Sequence, residues 1–115
     1  MDHEFYMREA LRLAGEAAAC GEVPVGCVIV RDGVIVGTGR NRREETHSAL
    51  SHGEIHAIDE ACRAMKSWRL EGCALYVTLE PCPMCAGAIV QARIPKVVFG
   101  TRNSKAGCAG SILNI

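Results

Sequence analysis

Two short segments far apart in the chain, His52-Gly53-Glu54 and Pro81-Cys82-Pro83-Met84-Cys85, constrain the fold more than any other feature. One neutral imidazole and two thiolates make a soft three-ligand set for zinc, so the fold has to bring His52 beside Cys82 and Cys85. Three protein ligands leave the fourth tetrahedral position open, which marks a catalytic rather than a structural site. Zinc lowers the pKa of a bound water to about 7 and so makes hydroxide available at neutral pH. Expelling ammonia also requires a proton on the leaving nitrogen. Glu54 is placed to carry it.

Other readings of the same residues fit less well. His52 and His56 stand four apart, as in the metalloprotease H-E-x-x-H helix, but the acid follows the first histidine one place too late. His56 would also compete with two thiolates, so it is expected on the flank of the helix. Cys82 and Cys85 alone could form a redox C-x-x-C pair. A third ligand with a neighbouring acid points to a metal instead. Cys20, Cys27, Cys62, Cys73 and Cys108 have no ligand spacing, and four or more of them are expected to act as small hydrophobic residues.

The pattern along the chain predicts where these segments sit. Residues 2–19 read as an amphipathic helix with Phe5, Leu11 and Ala18 among its apolar positions. Val23 to Val30 and Val34 to Thr38 read as strands joined through Asp32-Gly33, a hairpin signal. Residues 39–51 are polar and are expected to form a loop reaching the site. From Ser51 or His52 a helix follows, with Ile55, Ile58, Ala61, Cys62 and Met65 spaced for burial. Ala74 to Leu79 is a strand, Pro83 opens a helix over 84–92, and Lys96 to Phe99 is a further strand. Side chains at i and i+2 do not share a helix face, so His52 and Glu54 converge only if the helix start itself points at the site. Cys82 needs the same placement, and two helix N-termini are expected to meet at the metal. Alternating helices and strands after a hairpin predict a mixed sheet covered by helices, with the site at the strand ends.

With 115 residues the chain has room for one domain with a real core. Seven cysteines, an odd number, no leader ahead of the first helix and no long apolar run predict a cytoplasmic protein without a membrane span. The net charge is zero, so there is no global pull toward nucleic acid. Its distribution is uneven: Arg93, Lys96, Arg102 and Lys105 follow residue 82 with no acid among them. Such a patch can steer a polyanion or be an ordinary solvated surface.

His-x-Glu with Pro-Cys-x-x-Cys is the signature of the zinc nucleobase deaminases. Together with Glu22-Val23-Pro24-Val25-Gly26, Gly39-Arg40-Asn41-Arg42, Trp68-Arg69-Leu70, Leu75 to Cys82, Val98-Phe99-Gly100 and Lys105-Ala106-Gly107, it makes nearly the whole chain resemble the bacterial tRNA-specific adenosine deaminases of the cytidine deaminase-like superfamily. The resemblance implies a three-layer α/β/α fold with a mixed central sheet. It also implies one zinc per chain, a homodimer, and a tRNA anticodon stem-loop whose flipped wobble adenosine becomes inosine. By the same resemblance Asn41 contacts the purine, and Pro24, Val25 and Leu79 wall its pocket; by residue type alone Asn41 could cap a loop and the three apolar side chains could be core. Arg42, Arg102 and Lys105 are candidates for phosphate contacts.

Three departures stand out. Gly53 occupies a place where the family commonly has alanine and where free-cytosine deaminases can carry glycine. Asn103 replaces the usual aspartate. An aspartate there would repel phosphate and could accept from a ribose 2′-OH, so a neutral Asn103 either eases action on adenine in single-stranded DNA or simply caps a turn. The chain stops at Ile115, short of the family's C-terminal helix, which is expected to weaken RNA affinity more than chemistry. The competing reading is a deaminase of free cytosine or guanine. A non-catalytic zinc or RNA-binding module is the third, and Glu54 beside an open ligand position argues against it.

Overall fold

The first helix, α1 (His3–Ala19), is opened by Asp2, whose carboxylate accepts from the Phe5 N–H at 3.0 Å. The computed structural model describes residues 2–101, and Arg102, Asn103, Lys105 and Cys108 lie outside them. The helix buries Tyr6, Ala10, Leu13, Ala14 and Ala17. Phe5 and Leu11, named above for their apolar character, are exposed, because the buried stripe of a 3.6-residue repeat runs one position to their side.

Strand β1 (Gly26–Arg31) turns through Asp32 and Gly33, both at positive φ, into β2 (Val34–Arg40). Positive φ at both central residues suits a two-residue hairpin turn, which is why Asp-Gly signals it. Strand β1 begins later than the apolar run from Val23 suggests, and β2 runs two residues past Thr38. The register shifts between Ile29 and Val30, where a bulge lets β2 bend. The segment expected as a loop contains a short helix, α2 (Arg43–Thr46). Then come α3 (Gly53–Met65), β3 (Cys73–Leu79), α4 (Pro83–Gln91) and β4 (Lys96–Thr101).

The strands pair in the order β2-β1-β3-β4. Pairing is antiparallel except between β3 and β4, which lie parallel on either side of the α4 crossover. The mixed sheet carries α1 on one face and α3 and α4 on the other. Alternation along the strands fills both cores: Cys27, Ile29, Leu75 and Val77 meet Ala57, Ala61 and Ile89, whereas Val28, Val30 and Tyr76 meet Tyr6 and Leu13. The three-layer arrangement is the one the resemblance implies.

Helix α3 comes unusually close to β2. Its central buried residues are the small Ala57 and Ala61, with Ile58, Cys62 and Met65 packing beside them and Ile55 only half-buried. At Gly39 a Cβ would lie 2.7 Å from the Ala57 nitrogen and 2.9 Å from the His56 Cβ; at Gly37 one would lie 2.9 Å from the Ala61 Cβ. Glycine at both positions lets the helix backbone rest on the strand. Gly39→Ala is therefore expected to cost about 1–3 kcal/mol, as overpacking does, and to displace the start of α3. Thermal denaturation together with metal content checks this, because a displaced α3 also moves His52.

Candidate active site

His52 and Glu54 converge because only one of them is helical. His52 is the N-cap of α3 in an extended conformation (φ −88°, ψ 152°), and Glu54 sits in the first turn. Cys82 is likewise the extended N-cap of α4, Pro83 follows in the first turn, and Cys85 completes that turn. The two helix starts face each other, as the spacing requires. Fully buried Pro81 leads from β3 into the second of them.

The imidazole Nδ1 of His52 lies 3.6 Å from the Cys82 sulfur and 3.5 Å from the Cys85 sulfur. All three ligand atoms fall within 4.8 Å of one another, the one such group among the described residues. With Zn–N near 2.0–2.1 Å and Zn–S near 2.3 Å, a tetrahedral centre places nitrogen and sulfur about 3.6 Å apart. The donor set therefore fits zinc in size as well as in softness. His56 is not part of it: one turn along α3, it lines a cleft beside β2.

Burial and neighbouring charges set the protonation of the ligand atoms and of Glu54. Burial, then Glu54 and Cys82, push the Cys85 thiol far above its ordinary range, so a thiolate needs a compensating positive charge. Burial and the Arg43 guanidinium hold His52 below its usual value, which keeps the imidazole in the neutral form a metal requires. Glu54 is 4% exposed, and burial raises its carboxyl, opposed by bonds to its own backbone and to the Cys85 sulfur. A carboxyl with affinity for a proton is what a proton carrier needs.

A cavity of about 210 Å³ opens beside the cluster, lined by Val25, Asn41, Arg43, Leu79 and Glu80 along with His52, Glu54 and Cys82. It has mixed polar and apolar walls and room for a single base rather than a drug-sized ligand, whose sites run to about 300–1,000 Å³. Val25, Leu79 and Asn41, which the resemblance implies for a base pocket, line this cavity. Pro24 does not line the cavity. The Val25 N–H donates back to the Val23 carbonyl at 2.8 Å, and this tight turn leaves Pro24 exposed while Val23 and Val25 face the cavity.

Asn41 has a double position. Its Oδ1 accepts from the Gly53 N–H at 2.8 Å, holding the first turn of α3, while its side chain borders the cavity. With Oδ1 engaged, the amide NH₂ is the group left for a ligand, so Asn41 offers a donor rather than the donor-acceptor pair expected of a free amide. Asn41→Asp keeps the acceptor in the favourable field of a helix N-terminus and removes the donors. It is expected to hold its melting temperature better than Asn41→Ala, which loses about 1 kcal/mol of capping, yet to raise KM as much. Paired melting curves and kinetics measure both.

Two cavity residues, Arg43 and Glu80, carry charge without a role in the sequence reading. Arg42, one of the three candidate phosphate contacts, pairs with Glu45 at 3.3 Å and borders the cleft beside β2. Arg43 faces the cavity instead. Glu22 directs this: its buried carboxylate accepts from the N–H groups of Glu44 and Glu45 at 3.0–3.2 Å and anchors the start of α2. Three arginines within four positions give no period from which to choose among them. Gly53 is tightly enclosed, since a Cβ there would lie 3.3 Å from the Arg40 Cα.

Residues 1–114 match the family model of the MafB19-like deaminases. The tRNA-specific adenosine deaminase of Bacillus subtilis (strain 168) is 52% identical over 112 residues, covering 97% of this chain and 70% of that protein. This chain belongs to the tRNA-specific adenosine deaminase family. A solved structure from a study of A-to-I editing by tRNA:A34 deaminases superposes on this deaminase with a TM-score of 0.90 at 43% identity, covering 93% of this chain and 78% of that one. The guanine deaminase of Bacillus subtilis follows with a TM-score of 0.87 at 39% identity, covering 96% and 71%. The deaminase fold is thus shared with an enzyme named for a purine base. Among the described residues no helix is long and apolar enough to cross a membrane.

Proposed function

We propose that this deaminase converts adenosine to inosine by hydrolysis at the wobble position of a tRNA anticodon, with zinc held by His52, Cys82 and Cys85. The observation that carries the reading is the buried Glu54 carboxyl beside three converging ligand atoms, at the wall of a base-sized cavity. Zinc in that position supplies an acidified water near neutral pH. Glu54 takes a proton from the attacking water on a carboxylate oxygen and returns one to the departing exocyclic amine. Adenosine and water then become inosine and ammonia. Val25 and Leu79 exclude solvent from the two flanks of the base, the Asn41 amide donates to its edge, and Arg43 meets the adjoining phosphate.

The reading extends to a cytoplasmic homodimer. Leu50, Ile55 and Ile58 border an apolar groove on the outer flank of α3, which supports pairing of two copies. Sedimentation of the metal-loaded protein tests that part.

The deciding experiment incubates metal-loaded protein with an anticodon stem-loop carrying adenosine at the wobble position and, separately, with free guanine, cytosine and adenine. Inosine in the recovered RNA is the expected result. Turnover of a free base with unchanged RNA would replace this reading with the free-base one. A matched single-stranded DNA hairpin extends the test to residue 103. Asn103→Asp is expected to lower the DNA-to-RNA rate ratio, and an unchanged ratio removes the proposed role.

A further inference from the structure

The end of the sheet opposite the catalytic cavity carries an exposed aromatic residue between cations. Trp68 is 56% exposed, the Arg69 guanidinium lies 4.9 Å from its ring centre, and that of Arg93 lies 5.7 Å away. Lys66 and Lys96 are exposed on the same segments. Among the described residues none of these four cations has an acid within ion-pair distance, unlike Arg8, Arg12, Arg40, Arg42 and Arg63. Glu71 is the exposed acid of this segment and Asp32 pairs with Arg31 at 3.6 Å.

The patch is held in place. Leu70 is fully buried and its N–H donates to the Ala92 carbonyl at 2.7 Å, tying the Trp68 segment to the end of α4. Ser67 braces the turn through bonds to the Arg69 N–H and carbonyl at 3.1 and 3.2 Å. Arg93 spends one donor on the Val90 carbonyl at 3.2 Å. Among the described residues no acceptor takes its other guanidinium N–H groups or those of Arg69, which leaves them for an external acceptor. Stacking on an indole fixes a guanidinium plane while leaving its edge donors free, and such a fork matches the oxygens of a phosphate.

We propose that Trp68, Arg69 and Arg93, with Lys66 and Lys96 beside them, form a second contact for the phosphodiester backbone of the substrate RNA. The proposal rests on the RNA reading above. Charge complementarity selects the ligand: four cations on an aromatic support outnumber the one exposed acid of the segment, Glu71, and none of them forms an ion pair among the described residues. The 13 residues of α3, at about 1.5 Å each, put this patch roughly 20 Å from the helix start that carries His52. The contact therefore falls on RNA outside the anticodon loop and leaves the chemical step untouched. It gives the enzyme a means of preferring a structured tRNA over a short loop with the same base.

Arg69→Gln and Arg93→Asn test this, asparagine being chosen because Arg93 sits at φ +61°, a conformation asparagine tolerates. Full-length tRNA, a short anticodon hairpin, and a tRNA with guanosine in place of the wobble adenosine are titrated at several salt concentrations. Each variant is expected to weaken binding of both full-length tRNAs and to lower the slope of log Kd against log salt by about 1. Binding and kcat on the short hairpin should stay at the parent value. An unchanged salt slope on full-length tRNA overturns the proposal, as does equal weakening on the short hairpin. Loss of binding to anionic lipid vesicles in the variants, with RNA binding intact, would assign the patch to a membrane surface instead. The guanosine tRNA separates the two readings, because it reports this contact even if no adenosine is ever deaminated.

Discussion

Glu54→Gln is expected to keep the fold and the full complement of metal while losing at least about 10²- to 10⁴-fold in turnover, the range over which a positioned acid-base group contributes. The side chain is 4% exposed and burial raises its pKa, so folding already disfavours the charged carboxylate. A neutral amide of nearly the same shape enters that site without the desolvation cost of a charge. The three ligand atoms belong to other residues and are not displaced. The amide cannot accept a proton from water and return it to the departing amine. Metal content by elemental analysis, melting temperature and single-turnover deamination are measured together. Loss of metal in parallel with activity would show that Glu54 acts as a ligand or a structural support.

The ligands were readable from the sequence because their chemistry is specific: few roles require an imidazole, two thiolates and an acid at those spacings. The helices that carry them were also readable, since N-cap placement is the way His52 and Glu54 can reach one centre, and His52 is found extended ahead of α3. The hairpin followed from Asp32-Gly33 because both residues must adopt positive φ. Finer placement depended on tertiary contacts with no local signature. Nothing in Arg40-Asn41-Arg42-Arg43 tells which arginine turns toward the cavity; the carboxylate of Glu22, distant in sequence, decides it by anchoring α2. Val23 rather than Pro24 borders the cavity for a similar reason, a single backbone bond across the turn. Apolar identity alone does not tell burial in α1, where Phe5 and Leu11 are exposed and the small Ala10 and Ala17 are buried.

Cys85→Ala is expected to remove the metal and lower the stability of the loaded protein, whereas Cys20→Ala should do neither. Cys85 is fully buried between Glu54, Cys82 and His52, while Cys20 is exposed at the end of α1. An ion that binds the folded state and not the unfolded one stabilises it by about 2.7–4.1 kcal/mol at 100 to 1,000 times its Kd. For a domain of this size each kcal/mol corresponds to a shift of about 4 °C in Tm, so the loss is large enough to resolve. Truncation also removes a buried thiol, and its packing contribution has to be separated from the metal's. A chelator does so: it should lower the Tm of the parent protein toward that of Cys85→Ala and leave the variant's unchanged. The two effects then cease to add, because both abolish the same bound ion. If chelation lowers the Tm of Cys85→Ala as far as it lowers the parent's, the ion is held without Cys85 and the ligand assignment fails.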